Sequence, residues 1–364
     1  MRREVFLSFF QMKWGELHMF SNPKKVENPV KGDLSPTLAK PRKFSLKNIL
    51  LSEYLVLIIS IFYFIIFSFI MPVFASPNNI MNIFLNMLPL LVLAIGQTFV
   101  LILGGIDLSI PSVVALTSVV GAQIMSTETG YLAGSPMAVP VAIIVMLIIG
   151  FVIGGFNGLT VTKFHMPPFI VTLTMMLFLS GLALWYTKSS PIYGLPVAFT
   201  AIAKGSLFYI PTAFILVLIV TLVANFLLNK SVFGRKIYAI GTNAKSAYIS
   251  GIAVNKNIVW VYIFSGLCAV IGSILLTGRL ETGSPVLAQK MLLDIIGAVI
   301  IGGTSLTGGK GKIIWTVYGV LFITIIDNSL NLLGISYFTI MMVKGLVILL
   351  AAFIDSLRLR LREV

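Results

Sequence analysis

The sequence predicts an all-α polytopic membrane protein of about ten transmembrane helices, arranged as a five-plus-five inverted repeat. Three observations predict it. Hydrophobic residues make up 58% of the 364 residues and charged ones only 10%, against about 25% charged in soluble domains. Apolar segments recur along the chain near 52–72, 83–103, 110–125, 137–161, 169–187, 207–228, 258–277, 287–303, 313–330 and 335–354. Two of them, 110–125 and the apolar part of the eighth at 291–301, are short for spanning; they hold matching places in the two halves, and each abuts a double glycine.

Residues 1–47 form a polar tail. Arg2, Arg3 and the run 5–10 imitate a signal peptide, but the apolar core is too short and no small-residue cleavage site follows. The Pro- and Lys-bearing part is expected to be disordered. With the tail placed inside, the 26 Lys and Arg sort themselves. Only Lys188, Lys204, Arg279 and Lys290 fall at the outer side, and Lys344 lies within a span. The positive-inside rule then puts both termini, including the basic stretch 358–364, in the cytoplasm. The net charge of +14 is thus topology rather than a nucleic-acid footprint. A single cysteine, Cys268, excludes an intrachain disulfide.

The first glycine break is Gly104-Gly105-Ile106-Asp107-Leu108-Ser109, where Asp107 or Ser109 can cap the short third segment and Pro111 sits in its first turn. The second follows the eighth segment as Gly302-Gly303-Thr304-Ser305, leading to Gly308-Gly309-Lys310-Gly311-Lys312. Paired Gly-broken segments point to a transport path; close helix packing is the plainer use of such glycines. A phosphate-binding loop fails here: the position five before each Gly-Lys pair is Thr304 or Leu306, and Ser or Thr follows neither. The two histidines, His18 and His165, form no metal or catalytic set. No cofactor or metal is called for.

Residues 229–257 are the polar stretch between two spans, and Lys230, Arg235, Lys236, Lys245 and Lys256 keep it out of hydrocarbon. It contains a small helix over 244–250, capped by Thr242 or Asn243 and stopped by Gly251. One face is expected to show Ala247 and Ile252 near Tyr248, which suits docking onto a partner. Inside the spans, Asn86, Gln97, Thr98, Asn157, Thr172, Thr174, Asn328 and Asn331 are uncharged hydrogen-bonding groups. As a set they fit a path for a neutral polar solute; singly, each suits bonding between helices. Lys344 lies roughly 13 Å from either interface at about 1.5 Å per residue, too deep to snorkel easily. It calls for a carboxylate, with Asp107 the first choice and Asp327 and Asp294 the second.

The pieces AIGQTFVLILGGIDLSIPSVVAL, FNGLTVTKFHMPPFIVTLTMMLFLSG, GRKIYAIGTNAKSAYISGI, IIGAVIIGGTSLTGGKGKIIWTVYGVLF and NSLNLLGISYFTIMMVKGLVILL resemble the permease subunits of ribose-type ATP-binding-cassette importers. The likeness covers residues 48–357 in order and leaves out the tail. It implies ATP-driven import of a monosaccharide or similar small polar solute across the bacterial inner membrane. It also implies a second permease subunit, a separate cassette ATPase and a periplasmic or lipid-anchored solute-binding protein. The chain itself would be no enzyme, and its partners besides lipid would include no nucleic acid. Gly241, Thr242, Asn243, Ala247, Ser250 and Gly251 would belong to the loop that couples to the ATPase. The long tail and the doubled Pro167-Pro168 depart from the family pattern. A permease for branched-chain amino acids or nucleosides is the nearest rival, and a membrane enzyme or scaffold a remoter one.

Overall fold

The computed structural model describes residues 54–363, with side chains described through Phe353; the expectations for the 1–47 tail lie outside the described residues. The chain runs α1 (Leu55–Ile70), a 3-10 turn at Pro72–Ala75, α2 (Pro77–Ile102), α3 (Ile110–Met125), α4 (Ala138–Lys163) and α5 (Pro168–Thr187). Next come α6 (Val197–Lys204), the strands β1 (Ser206–Leu207) and β2 (Ile210–Pro211), α7 (Thr212–Asn229), α8 (Val232–Thr242) and α9 (Ala244–Ile249). Then follow α10 (Val254–Leu280), a 3-10 turn at Gln289–Met291, α11 (Leu292–Gly302), α12 (Ile313–Leu332) and α13 (Tyr337–Glu363). The described residues are all-α apart from the two-residue strands of one hairpin.

Among the described residues six helices, α2, α4, α5, α7, α10 and α12, are long and apolar enough to cross a membrane. Three shorter apolar helices accompany them: α1, α3 and the Tyr337–Phe353 part of α13. Local chemistry accounts for the starts. Ser76 accepts from the N–H of Asn79 at 3.3 Å with Pro77 opening α2, and Pro168 opens α5 where its missing N–H costs nothing. Several expected boundaries change. The second segment begins at Pro77 rather than 83, the sixth begins at Thr212 after the β1–β2 hairpin, and the eighth shrinks to Leu292–Gly302. Two helices went unforeseen, α6 in the 188–206 loop and α8 in the polar stretch.

Burial separates centre from periphery. The apolar window of α2 is 89% buried, against 28% for α4 and 22% for α5 and α7. α10 and α12, at 67% and 61%, pack beside α2. α4 binds the centre through a seam of small residues: a Cβ at Gly150 would lie 2.7 Å from the carbonyl oxygen of Gly266, and one at Gly158 2.7 Å from the Cα of Val259. Without side chains between them the backbones approach closely, the usual substitute for hydrophobic drive in lipid.

Candidate functional site

The first break is an irregular stretch, buried at Gly105 and from Asp107 to Ser109, held by side chains from four helices. Both oxygens of Asp107 are used. One accepts from the N–H of Ser109 at 3.0 Å and its hydroxyl at 2.6 Å. The other accepts from Ser265 Oγ of α10 at 2.8 Å. Asn157 of α4 donates from Nδ2 to Ser109 Oγ at 2.9 Å, and Thr172 of α5 donates to the Ile106 carbonyl at 3.0 Å. Gln97 of α2, in the amide orientation that satisfies both partners, donates to the Asp107 carbonyl at 3.1 Å and accepts from its N–H at 3.3 Å. Irregular backbone at membrane depth needs hydrogen-bond partners from protein or from a water-lined cavity, and here protein side chains supply them. Gln97, Asn157 and Thr172, expected along a solute path, are buried in this conformation and bond to the break.

Asp107 is 3% exposed and makes no ion pair with any described residue. The expectation that it neutralises Lys344 is corrected. Lys344 Nζ lies 3.0 Å from Asp294 Oδ2 and 2.6 Å from Asp327 Oδ1. α13 packs on α11 and α12, so the carboxylates of those helices reach it, while the Asp107 carboxylate is held by Ser265 of α10. Asn328 pairs with Asn79 through two amide bonds of 2.9 Å. Thr174 bonds only to carbonyls of its own helix, and Thr98 joins Thr316 at 2.7 Å.

The second break begins where α11 ends on left-handed Gly303 (φ 111°). It closes on itself through the Ser305 N–H to the Lys310 carbonyl at 2.9 Å, with Gly308 and Gly309 at positive φ. The polar stretch leans on it. Tyr238 of α8 donates its hydroxyl to the Gly311 carbonyl at 2.7 Å, and burial pushes that phenol up to about 12, so it stays a donor. α8 buries Gly234, Ile237 and Ile240 and turns Lys236 and Arg235 away from that face.

Asn243 caps α9, its Oδ1 accepting from the N–H of Ser246 at 2.9 Å, and Gly251 stops the turn at φ 81°. Thr242 is no cap: it ends α8 and donates to the Tyr238 carbonyl. Ser250 bonds back to the Ser246 carbonyl at 2.9 Å. The expected docking face is also corrected. Ala247 is 4% exposed and faces its own chain, whereas Tyr248 and Ile249 are 73% and 75% exposed. Six residues are too short a helix to bury one face by periodicity alone, so the fold of the flanking chain chose which side turned in.

The residues missed by sequence were Tyr238 of α8 and, on α10, Ser265 and Tyr262, whose hydroxyl faces the first break 2.9 Å from where a Cβ on Gly105 would stand. Ser265 and Tyr262 stand three apart, the spacing of one helical face, and that was their available signal.

The sequence of the chain matches a known family. Residues 79–352 match the family described as branched-chain amino acid transport system / permease component. The ribose import permease protein of Bacillus subtilis is 41% identical over 294 residues, 80% of this chain and 88% of the relative. The D-allose transport system permease protein of Escherichia coli is 35% identical over 284 residues, 78% of this chain and 85% of the relative. The galactose/methyl galactoside import permease protein of Haemophilus influenzae is 32% identical over 298 residues, 79% and 89% respectively. No solved structure matches. The chain belongs to this family of importer permeases, a multi-pass membrane transport subunit of the ribose-type kind.

Proposed function

We propose that this chain is the membrane subunit of an ATP-driven monosaccharide importer. The observation that carries this is the likeness to ribose, allose and galactose permeases along about four fifths of the chain. In this reading two copies form the pathway. Residues 229–257 face the cytoplasm and a cassette ATPase, with Tyr248 and Ile249 as the exposed apolar contact. A solute-binding protein docks at the opposite end. The ten apolar segments cross the inner membrane as five plus five, both termini inside. The mirrored order supports that repeat: one break precedes short α3, the other follows short α11. The deciding experiment is uptake into proteoliposomes holding this chain with the ATPase and binding protein of its own genetic neighbourhood. Ribose, allose, galactose and leucine are offered separately. ATP-dependent accumulation of one sugar is expected; accumulation of leucine alone would favour the amino-acid reading.

A further inference from the structure

The two breaks and the polar stretch meet backbone to backbone at one seam. The N–H of Gly309 donates to the carbonyl of Ile102, the last residue of α2, at 2.8 Å. Gly241 of α8 lies against both groups: a Cβ there would collide with the Ile102 oxygen and stand 2.6 Å from Gly309 N. Across the seam, a Cβ on Gly308 would lie 2.8 Å from the Gly241 oxygen and 2.9 Å from Gly104 N. A Cβ on Gly309 would lie 2.6 Å from Thr242 Oγ1. One turn back along α8, Tyr238 holds the Gly311 carbonyl at 2.7 Å. Four glycines from three distant parts of the chain thus touch without a side chain between them.

Such a seam transmits displacement differently from an ordinary helix contact. Side chains absorb small movements by changing rotamer, whereas backbones in direct contact, with no side chain between them, pass a displacement on to each other. A shift of α8 therefore moves the C-terminal end of α2 and the 308–311 turn together. The far side of the first break cannot follow freely, because Asp107, Ser109 and Ile106 are tied to α10, α4 and α5. The movement concentrates at Gly104 and Gly105.

We infer that this glycine seam is the element that passes the ATPase stroke to both breaks at once, with Gly241 as its positioning residue. The inference rests on the reading of residues 229–257 as the ATPase-facing stretch. Its consequence is specific: crowding the seam alters how much solute moves per ATP, not whether the complex assembles.

The test uses the full chain reconstituted with its ATPase and binding protein, reading retention of the ATPase, ATP turnover with and without loaded binding protein, and solute moved per ATP. Gly241→Ala is expected to keep the ATPase bound and lower solute per ATP about tenfold, the size of a typical coupling free energy. Tyr238→Phe removes one hydrogen bond without crowding and should lower the ratio about threefold. Gly181→Ala on α5, where a Cβ meets nothing within 4 Å, should leave it unchanged. A wild-type ratio in assembled Gly241→Ala overturns the inference; should that variant fail to assemble, a wild-type ratio in Tyr238→Phe overturns it. Loss of the underlying reading looks different: the ATPase would then not bind the unaltered chain through this stretch at all.

Discussion

Arg279 donates from Nη1 to the carbonyl oxygen of Leu85 at 3.1 Å. Leu85 needs that donor because the residue four places on is Pro89, inside α2, which has no N–H to close the helical bond. This half-buried guanidinium also borders a cavity of about 340 Å³ with Pro89, Lys204 and Pro211. Its neighbours Lys204 and Glu281 pair with each other at 2.7 Å. Arg279 thus mends a helix, and Lys204 and Glu281 are matched with each other.

Arg279→Ala is therefore expected to cost about 1–3 kcal/mol, the penalty for a carbonyl left unbonded. Pro89→Ala restores an N–H opposite Leu85, and in that background the same substitution should cost much less. Thermal unfolding of the four proteins in detergent gives the cycle. Equal costs in both backgrounds would dismiss the repair role.

Lys344 stands between two carboxylates, with 13% of its side chain exposed and 16% of that of Asp294. Removing it as Lys344→Met strands both acids and should lower stability by about 3–5 kcal/mol. Adding Asp294→Asn and Asp327→Asn should recover most of the folded yield. The Asp107→Asn change should combine additively with Lys344→Met, since the two share no partner. A strong coupling between residues 107 and 344 would contradict this geometry.

The carboxylate of Asp107 organises the first break through Ser109 and Ser265. Ser265→Ala removes one bond to it and should cost about 1.5–3 kcal/mol. Asp107→Ala removes all of them and should open the loop itself. Amide hydrogen exchange across 104–109 is the measurement, and it should quicken in the order wild type, Ser265→Ala, Asp107→Ala. Unchanged protection in Asp107→Ala would sink the clamp.

On α9 the exposed and buried residues should separate cleanly. Ile249→Asp is expected to weaken ATPase retention while the chain stays folded. Ala247→Glu forces a charge into a site 4% exposed, so it should instead destabilise the 243–252 turn. Limited proteolysis within the stretch distinguishes them: rapid cutting in Ala247→Glu, wild-type resistance in Ile249→Asp. The reverse pattern would restore Ala247 as the contact residue.

Much of this protein is legible from residue order alone, because hydropathy, capping and glycine stops are local properties. The run of apolar segments, the cap at Asn243, the stop at Gly251 and the two glycine breaks are each set by residues within a turn or two. The family was legible for the same reason, being carried by contiguous pieces. α8 is less legible, because Gly234 and Gly241 argue against helix within it and the burial of Ile237 and Ile240 outweighs them.

What the tertiary structure decided was partnership. Residue order marks Lys344 as needing an acid and Gln97, Asn157 and Thr172 as needing hydrogen bonds, but many candidates satisfy such needs equally. The choice follows from which helices lie side by side. α13 beside α11 and α12 gives Lys344 to Asp294 and Asp327, and α2, α4, α5 and α10 around one loop turn scattered polar residues into a single clamp. Adjacency is fixed by the packing of whole helices, a property summed over hundreds of contacts, so no local pattern in the chain encodes it.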